Sequence, residues 1–404
     1  MRALFAPGAP TWVLAQQFAV RGLVAVKFLA IGRILGPAAI GSVSVALLAV
    51  AIAESLSDTG LAQAVVQGEK APTRDQLAAV LNTLVVRGLC VALVLIVAAP
   101  FMASQFHLGR SLLIQMAAAL PLVRGIASPS YYVAQRERRF SRVAAIEIGA
   151  ALVDCCVGLA FALSGVGVYA VLIGMLLGES LKTALTWIAF APRPPLALHW
   201  SGIGHYVGFS RWIWAGSVVN LILNQFDKIV VGKMLGPAQL GAYQMSSRLA
   251  QLLLADAAIA LAQYLFPTFA ARHRADANEA ARLVKRWLVV GACVLALVVL
   301  ALRMLAAPLF AWVLGPQWQP AVPLFRIFAV NMGLGALIAV LVAYLRARGD
   351  ARAATQASAM QVVVLVAVVP WAVRGWGATG IAWAMTAGLA TAGLWMIYRT
   401  FGPR

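Results

Sequence analysis

Seven of the thirteen carboxylates, Glu54, Asp58, Glu147, Asp154, Glu179, Asp227 and Asp256, stand inside long apolar runs, and so do the cations Arg21, Lys27, Arg87 and Arg248. A charge at the middle of a bilayer costs about 3 kcal/mol if it faces lipid, so such groups face an interior and mark partners or pathways. Two kinds of chemistry suit them. A carboxylate in that setting can hold a proton or a small cation, and a guanidinium fork suits phosphate oxygens. Asp227 is the first candidate for ion coupling and Asp256 the second. Glu54 and Asp58 join them, spaced i, i+4 on one helical face, and Glu147 and Asp154 are spaced i, i+7. Arg21 and Arg248 each lie about 13–14 Å from a membrane surface, at mid-depth, at 1.5 Å rise per residue. With Lys27 and Arg87 they are the candidates for a cationic cavity. The plainer alternative is that these charges pair as bridges between helices, Arg21 with Glu54 or Asp58 for example. The sequence has no Ser/His/Asp set, and His107, His199, His205 and His273 are scattered, so an enzyme is not expected.

The elements that must position these groups are membrane helices. The chain is 62% hydrophobic and 11% charged, with a mean hydropathy of +0.88, too apolar for a soluble domain of this size. Its apolar runs last about 20 residues or more, the length of a spanning helix rather than of a barrel strand. Twelve spans are expected, near 12–35, 39–66, 77–102, 111–134, 143–164, 166–190, 206–235, 239–266, 286–312, 322–345, 354–373 and 376–398. The net charge of +19 does not signal nucleic acid once the basic residues are sorted by membrane side. The odd-numbered breaks hold four (Arg33, Arg110, Lys233, Arg374), the even breaks and termini eighteen, which places both termini in the cytoplasm. The first apolar run carries Arg21 and Lys27, unlike a cleavable leader. Cys90, Cys155, Cys156 and Cys293 lie in apolar runs without CxxC spacing and read as small buried hydrophobes. Trp12, Trp200, Trp212 and Trp214 fit interfacial belts.

The chain is also a duplication. Gly32-Arg33-Ile34-Leu35-Gly36-Pro37-Ala38-Ala39-Ile40-Gly41 returns as Gly232-Lys233-Met234-Leu235-Gly236-Pro237-Ala238-Gln239-Leu240-Gly241, and Leu61-Ala62-Gln63 as Leu261-Ala262-Gln263. Further along, Tyr132 to Arg138 is similar to Tyr344 to Asp350, and Gly165 to Ala170 to Gly375 to Gly380. Six spans per half makes the halves parallel repeats about an axis along the membrane normal, with a cavity expected between two bundles. The organisation is therefore an all-α polytopic membrane protein, with bundles at 1–190 and 206–404 joined by a Pro-rich cytoplasmic linker at 191–205.

The Gly32–Gly41 turn, the Glu54–Gln67 stretch, Gln135 to Phe140, and the block from Asp227 through Tyr243, Arg248 and Phe266-Pro267 together resemble the Wzx-type polysaccharide exporters of the multidrug/oligosaccharidyl-lipid/polysaccharide superfamily. That resemblance implies a MATE-like, V-shaped pair of six-helix bundles opening alternately to each side. It implies movement of a polyprenyl-diphosphate-linked oligosaccharide across the bacterial inner membrane, for a lipopolysaccharide or exopolysaccharide. Membrane lipids, a polysaccharide polymerase and a chain-length regulator are the partners to expect, with no cofactor beyond a coupling proton or sodium ion. Arg21 and Arg248 then flank the diphosphate. Two other readings stand beside it: a cation-coupled antiporter of small molecules from the same superfamily, and a membrane polymerase or ligase, which the short outward loops disfavour.

Overall fold

The computed structural model describes residues 9–68, 71–195 and 204–402, and within them every side chain except those of residues 10, 204–213, 215, 255–260 and 351. Among the described residues the chain is helical and has no strand. It divides into two compact units, Met1–Asn224 and Gln225–Arg404. The first holds α1 (Pro10–Leu56), α2 (Leu61–Gln67), α3 (Arg74–Gln105), α4 (Leu112–Ala117), α5 (Ala119–Gly125), α6 (Ser130–Arg136), α7 (Phe140–Leu163) and α8 (Tyr169–Ala189). Helix α9 (Gly204–Ala250) begins in the first unit and continues in the second, which adds α10 (Asp256–Ala275), α11 (Ala277–Val313), α12 (Val322–Ala347) and α13 (Ala351–Phe401). The halves expected from sequence meet at 191–205; residues 204–224 of α9 group with the first unit. Of that linker, residues 196–203 lie outside the described chain.

Seven described helices are individually long and apolar enough to cross a membrane, or eight if one bent pair is a single span. Dividing α1 and α13 at their glycine breaks brings eight to about ten, short of the twelve spans expected from sequence. Helix α1 breaks at Gly36 (φ 80°, ψ 178°) and α9 at Gly236 (φ 81°, ψ 176°), the two copies of the repeated turn holding nearly the same backbone angles. Only glycine takes that conformation without strain, and Pro37 or Pro237 follows with no N–H to continue the ladder. A third break, at Gly377 (φ 59°), divides α13. Large apolar side chains on the outer faces, such as Val97 on α3 and Trp312 on α11, are 72% and 81% exposed. In a bilayer such faces meet hydrocarbon and cost nothing.

Three expectations need correction. The second span does not run unbroken through Asp58: α1 stops at Leu56, Gly60 is left-handed (φ 63°), and α2 starts at Leu61. Asp58 therefore caps a turn, accepting the Gly60 N–H at 3.0 Å, and does not share a helical face with Glu54. The fourth span is broken as well, with a 62° bend between Leu112–Gly125 and Ser130–Arg136. Pro129 lies in that break and biases Ser128 away from helical angles. Finally, only Cys155 of the four free cysteines is buried; the others lie on outer faces, where lipid serves as the apolar solvent.

Helices α7 and α8 cross closely in the first unit. A Cβ on Gly174 would sit 2.6 Å from the Asp154 carbonyl oxygen, and one on Gly178 2.8 Å from that of Ala150. With no hydrophobic force between helices in lipid, such small-residue contact is what holds them together. In the second unit α10, α11 and α12 close around Phe269, Val284 and Tyr344, with Phe269 and Tyr344 edge to face at 5.9 Å.

Candidate functional site

The interior of the first unit is a connected set of charges. Lys27 on α1, 5% exposed, is held by Asp154 of α7, with Nζ 2.8 and 2.7 Å from the two carboxylate oxygens. Arg124 on α5 bridges two carboxylates, its Nη1 lying 3.0 Å from Glu54 Oε2 and its Nη2 3.0 Å from Glu179 Oε1. Arg87 on α3 donates from Nε to Ser57 Oγ at 3.1 Å and from Nη2 to the Glu54 carbonyl at 2.7 Å. Lys182 on α8 reaches Glu147 Oε1 at 2.7 Å, and the Tyr131 hydroxyl donates to the same carboxylate.

These groups open on two cavities. The larger, about 350 Å³, is lined by Glu54, Asp58, Arg87, Arg124 and Tyr132 among others. The smaller, about 210 Å³, is lined by Glu147, Asp154, Glu179 and Lys182. Arg124, on the wall of the first, is paired to Glu179, on the wall of the second, so the two chambers share one ionic network. Asp58 adds a contact to the start of α9: Ser217 Oγ donates to its Oδ2 at 2.8 Å, and Trp214 Nε1 donates to the Leu56 carbonyl at 2.8 Å. Trp214 is thus anchored to α1; the side chain of Trp212, and all of Trp200, lie outside the described residues.

The described interior of the second unit holds fewer charged side chains. Asp227 is 4% exposed and accepts the Tyr243 hydroxyl at 2.9 Å, while its Oδ1 is buried without a hydrogen-bond partner among the described residues. Next in the sequence, Lys228 reaches Gln225 Oε1 at 3.3 Å. The Thr386 hydroxyl donates to Oδ1 of the buried Asn331 at 2.6 Å, a second polar pair. Arg248 is partly buried in the last turn of α9. A π-helical turn, Gln251–Ala255, separates it from Asp256, whose side chain lies outside the described residues. Turns of that kind are rare and cluster at functional positions. Arg21 lies exposed on α1 before Lys27.

Of the residues singled out by sequence, the structure brings Lys27, Glu54, Asp58 and Arg87 into the first unit's polar interior. The partner of Glu54 is Arg124, and those of Asp58 are Ser217 and the Gly60 amide. Arg124 and Lys182 were not singled out, although both take part. A signal for Arg124 exists in the sequence, because it and Arg87 each precede a glycine. Those glycines mark a close crossing of α3 and α5: a Cβ on Gly88 would lie 2.7 Å from the Pro121 carbonyl oxygen, and one on Gly125 2.5 Å from that of Leu84. Glu179 likewise follows the contact residue Gly178. Among the described residues no three His, Cys, Asp or Glu side chains are grouped to hold a metal ion.

Residues 30–323 match the family described as polysaccharide biosynthesis protein. The succinoglycan biosynthesis transport protein ExoT of Rhizobium meliloti (strain 1021) is 24% identical over 344 residues, 84% of this chain and 68% of that protein. An uncharacterized membrane protein in the cps region of Klebsiella pneumoniae is 24% identical over 245 residues, 59% of this chain and 50% of that one. Among solved structures, the lipid II flippase MurJ in an inward closed conformation superposes with a TM-score of 0.73 at 12% identity, over 96% of this chain and 87% of that one. An outward-facing multidrug resistance MATE family transporter of the MOP superfamily gives 0.58 at 15% identity, over 98% and 96%. The fold is the one shared by these two solved structures.

Proposed function

The chain belongs to the polysaccharide biosynthesis protein family, and we propose that it flips polyprenyl-diphosphate-linked oligosaccharide repeat units across the bacterial inner membrane, with both termini cytoplasmic. Membrane transport is the activity its relatives and its fold have in common. The observation that supports the finer reading is the charged, cavity-bearing interior of the first unit, set among helices whose outer faces are apolar. A diphosphate cannot enter hydrocarbon unaided, since an isolated ion in low dielectric costs tens of kcal/mol in the Born limit. Charged and polar side chains along its route replace the lost water.

In this reading Arg21 and Arg248, at corresponding depth in the two repeats, contact the diphosphate. Lys27 and Arg87, each engaged in its own network, line the polar interior without meeting the diphosphate, and Asp227 is the first candidate for the coupling carboxylate, Asp256 the second. The test is flipping of a labelled lipid-linked oligosaccharide in proteoliposomes. The Arg21→Gln/Arg248→Gln double variant should lose at least tenfold in rate while still inserting and folding; an unchanged rate overturns the assignment.

One observation favours a second reading, a cation-coupled antiporter of small molecules. The first unit's interior has five carboxylates (Glu54, Asp58, Glu147, Asp154, Glu179) against four cations (Lys27, Arg87, Arg124, Lys182), a balance that suits an organic cation. Resistance to cationic drugs on overexpression, without any effect on lipid-linked sugar, would decide for it.

A further inference from the structure

We propose that the 350 Å³ chamber between α1, α3, α5 and α6 is a subsite for an uncharged sugar of the cargo, not for its diphosphate, with Asp58 and Tyr132 as its specificity residues. The inference rests on the flippase reading above. Its physical basis is what the two arginines of the chamber are already doing. Arg124 is shared between Glu54 and Glu179, and Arg87 spends two donors on Ser57 and the Glu54 carbonyl. With Glu54 and Asp58 on the wall and Glu179 behind it, three carboxylates face two guanidinium groups, so the local balance repels a diphosphate and a sugar acid alike.

A neutral hexose meets the opposite situation. Its hydroxyls donate and accept, and the chamber offers both carboxylate acceptors and guanidinium donors, whose hydrogen bonds to neutral partners are strengthened by charge. Tyr132 contributes an aromatic face on the same wall, held edge to face by Tyr131 at 5.7 Å. The volume lies within the range of small-ligand sites.

Asp58 has a second part in this arrangement. Its Oδ2 accepts from Ser217 at the start of α9, in the repeat that follows the linker, and its Oδ1 from the Gly60 amide. A sugar hydroxyl that donates to Asp58 competes with Ser217, so occupancy of the chamber loosens the contact between α9 and the end of α1. The sugar is thereby read by the same residue that ties the two helices.

The experiment compares three probes on the purified full chain in nanodiscs: undecaprenyl diphosphate, the same lipid carrying one glucose or galactose, and the same lipid carrying glucuronate. The hexosyl lipids should bind at least tenfold tighter than the bare diphosphate, and the glucuronosyl lipid no tighter than it. Asp58→Asn and Tyr132→Leu should abolish the hexose advantage, with unaltered melting temperatures as the folding control. Equal affinity of the wild type for bare and hexosyl lipids, or a hexose advantage that survives in both variants, overturns the subsite alone. Failure of the wild type to bind any of the three overturns the flippase reading on which it rests.

Discussion

Lys27 and Asp227 occupy the same position of the two repeats, nine residues before the glycine that breaks each long helix, and both are almost completely buried, yet they have opposite charges. Each unit solves the resulting problem in its own way. Lys27 is met by a full counter-charge, Asp154 of α7. Asp227 is met by the neutral hydroxyl of Tyr243, sixteen residues along, and one of its oxygens is left without a hydrogen bond among the described residues. The two repeats thus hold a buried ionisable group at the same place with opposite signs, one met by a counter-ion and the other by a hydroxyl.

The Lys27–Asp154 pair should behave as a buried bridge. Lys27→Met alone or Asp154→Leu alone strands the other charge and should destabilise by about 3 kcal/mol, whereas the double variant should lie near wild type. Thermal unfolding of the purified protein in detergent gives the cycle. Single variants as stable as the parent would show that the pair is hydrated and carries no structural weight.

Asp227 should behave differently. Asp227→Asn removes the charge while keeping the shape, so the fold should persist and the response of transport to an imposed proton or sodium gradient should fall at least tenfold. Proteoliposomes with each gradient in turn provide the measurement. A variant that still answers both gradients rules Asp227 out as the coupling group.

At the α7–α8 crossing, space is the limiting quantity. Gly174→Ala places a methyl group against backbone atoms of Asp154 and Gly158, the nearest at 2.6 Å, and backbone cannot rotate away. The expected loss is about 1–3 kcal/mol, the usual range for overpacking. Gly149→Ala, with open space around its Cβ, is the control and should be nearly neutral. Equal melting temperatures for the two would refute the close-contact account.

Outside the spans, Asp350 should confer a pH dependence on the α12–α13 junction. Burial works against its charge, but hydrogen bonds from Arg348 and the Ala353 amide, with the nearby charge of Arg399, hold its carboxyl below the ordinary value of 3.8. Because the folded value is the lower one, the stabilisation is complete above the unfolded value and disappears as pH falls through the folded value. Asp350→Asn should therefore melt below wild type at pH 7 and converge with it as pH falls below 3.8. A gap that stays constant with pH would refute the linkage.

Much of the fold could be read without coordinates because it follows from local rules. Apolar length identifies spanning helices, and a Gly-Pro step can only break one, so Gly36 and Gly236 were recognisable as turns from their repetition alone. The break at Asp58-Thr59-Gly60 was also local, but a run of apolar residues on both sides concealed it, since hydropathy does not register one left-handed residue. The site was legible only as an inventory. Sequence showed which charges were too costly to face lipid, and it suggested that Glu147 and Asp154 share a face, as they do along the smaller cavity.

What residue order alone determined here is the solvent, the repeat and the supply of buried charge, each a property of one helix at a time. The choice of partners belongs to the tertiary structure. Arg124 stands 70 residues from Glu54 and 55 from Glu179, and nothing in a helical period distinguishes those carboxylates from Asp58 or Asp154. The selection is made where glycines let helix backbones approach, next to Arg87, Arg124 and Glu179, because Coulomb attraction is decisive only between charges that packing has first brought to about 3 Å.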